Sequence, residues 1–168
     1  MDRKVIILAA GLSIFIVMKS CVYHDFGDFT TSDNSDASLF DEINEAGYQF
    51  YQNGSLLAAA PESPHGSFKL RFNSAAASSL DNTGELPENG KFKEGSIVVK
   101  EIYQNNSLSL YAVLKKAPSD AAAGNGWLWS EYALDGSVLY SIESEGAGCI
   151  DCHSDTPNRD LVRTFDLH

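Results

Sequence analysis

Basic residues are scarce in this chain: 12 Lys and Arg stand against 23 Asp and Glu in 168 residues, a formal net charge of −11. That balance argues against nucleic acid as a partner, because affinity for a polyanion comes chiefly from neutralising its phosphates. An acidic surface instead suits solubility or the steering of a basic partner. Long apolar runs are missing too. Val5 to Met18 spans fourteen residues, short of the roughly 20 that cross a bilayer. Cysteine is sparse, with Cys21 far from Cys149 and Cys152, and the other metal-ligating side chains of that kind are scattered histidines. A structural zinc site needs a second ligand pair, and none is present. Internal repeats and low-complexity tracts are also absent.

Arg3 and Lys4 followed by the apolar run read as an export signal over residues 1–20. Cys21 directly after it matches the position of a lipid-attachment cysteine in bacterial lipoproteins. Ser20 suits that pattern, Lys19 suits it poorly, and Met18 is a tolerable substitute for leucine. The alternatives are a free cysteine on an uncleaved anchor or one removed with the signal. Loss of residues 1–20 leaves 9 basic and 22 acidic side chains, a net charge of −13. The expected location is the periplasm or the outer face of a bacterial membrane. Residues 21–37 are rich in Asp, Ser, Thr and Gly and read as a flexible tether. Residues 38–168 make the domain.

Within the domain, Leu39, Phe40, Ile43, Ala46, Gly47 and Phe50 recur at helical spacing, with Ser38 as N-cap and an end near Gly54. Phe68 to Phe72 alternates as a half-buried strand with Phe68, Leu70 and Phe72 on its apolar face. An Ala-rich helix over 74–80 follows. Ser96 to Tyr103 and Leu108 to Leu114 read as a hairpin around Gln104-Asn105-Asn106. Trp127 to Leu134 and Val138 to Ile142 form another around Asp135-Gly136, with both central residues able to take positive φ. Trp127 and Trp129 share a face and are expected in the core. The class is α+β: a mainly antiparallel sheet with a few flanking helices.

Cys149-Ile150-Asp151-Cys152-His153 carries the chemistry. In C-x-x-C-H, two thiols add to the vinyl groups of a haem and the adjacent histidine is forced against its iron. The expected cofactor is one covalent haem c on Cys149 and Cys152, with His153 as axial ligand on a C-terminal helix. A thioredoxin-like pair belongs beside a βαβ unit, whereas this motif follows a hairpin fifteen residues from the C-terminus; a simple disulfide is the other alternative. Electron-transfer cytochromes commonly close the sixth position with methionine, but the only methionines are Met1 and Met18. Of the histidines other than His153, only His65 lies within the folded part, in a polar loop, where a solvated role is the simpler reading. An open distal site is therefore expected.

Leu70-Arg71-Phe72-Asn73, then Gly90 to Glu101 (GKFKEGSIVVKE), Gly126-Trp127 and the haem motif occur in an order that resembles the cytochrome P-460 family over roughly residues 65–167. The resemblance implies a β-rich pocket with histidine-ligated, often five-coordinate iron. The family includes hydroxylamine-oxidising enzymes, in which a lysine is cross-linked to haem and a carboxylate assists, and the cytochromes c-prime beta, which bind nitric oxide beneath aromatic caps. For this chain the residues to examine are Lys100 and Glu101 as catalytic groups and Phe68 and Phe72 as distal caps. Lys100 shares a strand face with Val98 and Ile102, and Glu101 shares the other with Ile97, Val99 and Tyr103, so alternation alone leaves open which charge is buried. The expected function is binding or oxidation of nitric oxide or hydroxylamine, with a possible redox protein partner. The alternatives are a periplasmic electron carrier and a gas-binding module without turnover.

Overall fold

The computed structural model describes residues 34–61 and 63–166. The expected export segment, Cys21 and most of the tether lie outside them. Six antiparallel strands form one sheet in chain order: β1 (Gln49–Phe50), β2 (Ser67–Phe72), β3 (Ile97–Gln104), β4 (Ser107–Lys116), β5 (Trp127–Ala133) and β6 (Val138–Tyr140). With helices α1 (Asp36–Ile43), α2 (Ser74–Ala77) and α3 (Ile150–Ser154), the architecture is α+β.

α1 begins earlier than the sequence pattern suggests. Ser35, not Ser38, is its N-cap: the Ser35 hydroxyl accepts from the Ser38 amide at 3.2 Å while the Ser38 hydroxyl accepts from the Ser35 amide at 3.0 Å. This reciprocal cap satisfies two donors that the first helical turn leaves over. Asn34 and Asp36 are already part of the fold, since Asn34 donates to Asp120 and the Asp36 carboxylate accepts from Ser130, Ser141 and the Ile142 amide. The helix stops at Ile43 instead of near Gly54. Gly47 takes φ +97°, and the chain beyond it pairs as β1 with β2 before a single 3₁₀ turn over Tyr51–Gly54. Tertiary pairing overrides the apolar spacing there.

The hairpins follow turn chemistry. Asn105 and Asn106 both adopt positive φ, +50° and +63°, as the tight β3–β4 turn requires. In the β5–β6 connection only Gly136 does so, at φ +87°. Asp135 instead accepts the Ser137 amide at 3.0 Å, which gives a longer loop than a two-residue turn. The Ala-rich helix is reduced to α2, and β6 ends at Tyr140, with Ile142 starting a 3₁₀ turn.

Both faces of the sheet are buried. One packs Val99, Val113, Leu128 and Tyr132 against Leu39 and Ile43 of α1. The other carries Phe68, Leu70, Phe72, Val98, Trp127 and Trp129 beneath Phe92, Val162 and Phe165. Adjacent residues of β3 therefore enter different environments. Glu101 projects to the α1 face, where its carboxylate accepts from Arg71 Nε at 2.8 Å. Arg71 also donates to the Ile43 carbonyl at 2.7 Å and stacks 4.6 Å from the Tyr48 ring. The Arg71 and Glu101 side chains are only 9% and 12% exposed, so removing one charge strands the other in a poor dielectric. Glu101→Gln is expected to destabilise the fold by about 2–4 kcal/mol, read as a lower midpoint in urea unfolding.

Candidate functional site

A cavity of about 540 Å³ opens on the face opposite α1, within the usual range for a bound cofactor. Its floor is built on three cross-strand rows fixed by register, all of whose members but Ala133 line it. Val98, Leu114 and Trp129 form an apolar row; Lys100, Ala112 and Glu131 form a polar one; Ile102, Leu110 and Ala133 follow. Strands lie about 4.8 Å apart, so the backbones bearing Lys100 and Glu131 are roughly 10 Å apart. Ala112 between them keeps that space clear.

The C-terminal segment forms the opposite wall and brings Cys149, Cys152 and His153 into the lining. In α3 the His153 amide donates to the Cys149 carbonyl at 3.1 Å, placing those residues one turn apart on the same side. Both cysteines are free thiols. The His153 and Trp129 rings pack T-shaped, with centroids 4.9 Å apart and planes at 84°. Its Nδ1 lies 2.7 Å from the Leu161 carbonyl oxygen; with Nδ1 donating, Nε2 is the ring atom that remains for a metal. Leu161 is held by the tail around it. Asp160 is buried and accepts from the Phe92 amide and from Lys91 and Lys116, while Arg159 pairs with Glu85 and Asp166.

Arg163 closes this wall. It donates to the Cys152 carbonyl at 2.7 Å and reaches Cys152 Sγ at 3.2 Å, and its Nε is buried without a hydrogen-bond partner among the described residues. Two free thiols, an imidazole with one committed nitrogen, an unused buried donor and largely aliphatic walls fit a covalently held haem. Among the described residues no three His, Cys, Asp or Glu side chains converge as ligands for a bare metal ion.

Burial dominates the electrostatics. Lys100 is lowered to about 8 by desolvation, and its ammonium sits 4.2 Å from the Phe68 ring centroid. Glu131 is raised by burial. His65 lines the same cavity and is lowered to about 4, first by burial and then by the charges of Lys100 and His153. His153 is lowered too, burial outweighing the Leu161 bond. Both imidazoles are therefore neutral near pH 7, the form that ligates metals.

Of the candidates read from sequence, the structure gathers Lys100, Cys149, Cys152 and His153 around one cavity. Glu101 is not with them: alternation turns it to the α1 face, and its partner is Arg71. Phe68 and Phe72 are on the cavity side of the sheet but do not line the cavity. Phe68 underlies Lys100, and Phe72 stacks with Phe92 and Phe165 in the core. The carboxylate in the cavity is Glu131, which sequence reading passed over. Its signal was available, because the alternation that pairs Trp127 with Trp129 reaches Glu131 two residues later. His65 was read as a solvated loop residue, whereas it is partly buried in the lining.

Two outcomes are expected. Gly146 has φ +76°, and a Cβ there would meet the Trp129 ring at 2.7 Å, so Gly146→Ala should displace the loop before Cys149. Backbone strain alone contributes about 1 kcal/mol, and the clash adds to the loss of urea stability. Lys100 has a folded-state value of about 8 against 10.5 for the ordinary side chain, so the unfolded state binds more protons between those values. The burial penalty is full below pH 8 and fades towards pH 10.5. In the haem-free chain, Lys100→Met should therefore raise stability at pH 7, with a gain that shrinks across that window in urea titrations.

Comparison with known proteins finds no matching family model and no matching curated protein.

Proposed function

We propose that this chain is an exported monohaem c-type cytochrome of cytochrome P-460 character, which binds or oxidises a small nitrogen oxide such as nitric oxide or hydroxylamine. The observation that carries the reading is the arrangement in one cavity of Cys149, Cys152 and His153 on the C-terminal wall with Lys100 and Glu131 on the sheet. Cys149 and Cys152 would hold a haem through their thiols, and His153, its ring steered by the Leu161 carbonyl, would offer Nε2 to the iron.

Haem, when bound, supplies an iron that ligates the nitrogen oxide and exchanges electrons with it. The rest of the work falls to side chains. Glu131, as a carboxylate, takes a proton from an N–H or O–H of the bound molecule, and its raised value brings it closer to the working pH of such a base. Lys100, partly neutral near pH 8, offers a nucleophilic amine to the cavity. The apolar rows on either side limit water around them.

A second reading, an electron carrier with His65 as sixth ligand, is favoured by the neutral His65 ring in the cavity lining. Optical spectra of the purified holoprotein separate the two. The open-site reading expects high-spin iron that takes up carbon monoxide and nitric oxide, with a strongly red-shifted ferrous Soret band where Lys100 is cross-linked. A sharp low-spin spectrum indifferent to both gases, turning high-spin in His65→Ala, would establish the carrier instead. For the enzyme, Glu131→Gln should lower hydroxylamine turnover by about 10²-fold or more while leaving nitric oxide affinity unchanged; equal turnover would remove Glu131 from the mechanism.

A further inference from the structure

β6 is the outer strand of the sheet at one side, three residues long, and large apolar side chains stand in water around it. Leu134 is 49% exposed, Val138 47% and Leu139 55%. Tyr140, the next residue, lines the cavity and donates its hydroxyl to the Ala147 carbonyl at 2.8 Å, just before Cys149. The exposed patch is thus continuous along β6 with a residue of the cavity wall.

Charge selects what such a patch receives. Ala117 to Asn158 is a stretch of 42 residues with seven carboxylates and no Lys or Arg. Five of those carboxylates, Asp135, Glu143, Glu145, Asp151 and Asp155, are on exposed residues. A second copy of this chain docking symmetrically would set the same carboxylates against each other. Three apolar side chains are also too few for an obligate interface, whereas redox encounters lie at the small end of interface size. A partner with a basic rim around an apolar centre is drawn in by the field and seated by the leucines.

We infer that the β5–β6 hairpin and the following turn, centred on Leu139 and rimmed by Asp135, Glu143 and Glu145, form the docking face for a small basic electron-carrying protein. The inference rests on the haem reading for its purpose. A carrier docked on this hairpin would stand beside the strand that contributes Tyr140 to the cavity wall and would exchange one electron with a haem held there, one centre being oxidised as the other is reduced.

Mitochondrial cytochrome c, a basic haem protein, serves as the probe. Titrated at low ionic strength into the isotope-labelled holoprotein, it should shift amide resonances over residues 134–145, and the shifts should vanish as salt rises. The variant combining Asp135→Lys, Glu143→Lys and Glu145→Lys should weaken binding by about tenfold or more. A control with the same charge change elsewhere, Glu45→Lys, Glu88→Lys and Glu94→Lys, should weaken it much less. Leu139→Ser should weaken binding with no change in charge. Equal losses in the two triple variants, shifts centred on another surface, or no binding at low salt would overturn the docking face. So would a dimer in sedimentation that Leu139→Ser dissolves. Haem content, read from the alkaline pyridine spectrum, tests the haem reading separately, because binding of the probe does not depend on it.

Discussion

Trp129 is where the C-terminal segment meets the sheet. Its ring is buried at 3% exposure, its Nε1 donates to the Gly124 carbonyl at 2.9 Å, and it packs T-shaped with the ring of His153. The geometry suits the aromatic quadrupole, which favours an edge against a face. Gly146 is needed because any larger residue would enter the same ring. The position of Cys149 follows from Gly146, since the Cys149 amide donates to its carbonyl at 2.9 Å and α3 begins there. One indole thus sets the height of the cysteine-histidine motif above the strands, and so the room left for a cofactor.

The cavity depends on what the tail does beyond α3. Asp160 and Arg159 tie the tail to the core by charged hydrogen bonds, so the Leu161 carbonyl is presented to His153 from a fixed backbone. Such bonds are worth more than neutral ones when their partners are buried. The sheet contributes the opposite requirement, a polar row within an apolar surface. Desolvating Lys100 and Glu131 costs stability, a cost that marks the position as functional more readily than as structural. Glu101, its neighbour on β3, is satisfied by Arg71 and belongs to the folding of the α1 face.

Charge is distributed in the same asymmetric way. The cations of the described chain lie before Ala117 or after Asn158, and between them comes the acidic stretch containing β5, β6 and the cysteine motif. The positive side chains that line the cavity are Lys100 and Arg163. The outer surface beside the motif is left negative, and it surrounds the exposed leucines.

Local chemistry determined much of this without the fold. C-x-x-C-H placed two thiols and an imidazole at the spacing expected for haem attachment, Asn105-Asn106 specified a tight turn because asparagine tolerates positive φ, and Phe68, Leu70 and Phe72 declared a buried face through alternation. The helix start was misplaced by the choice between two serines, since Ser35 and Ser38 take part in the same cap. The helix end was lost because β1 pairs with a strand far along the chain. Lys100 and Glu101 were undecidable for a definite reason: both faces of β3 are buried, so alternation separates two interiors instead of an inside from an outside. The sequence by itself determined the two thiols and the imidazole of the C-x-x-C-H motif, while the tertiary structure decided which charges share their cavity, because register across three strands places Glu131 in line with Lys100 and sends Glu101 to Arg71.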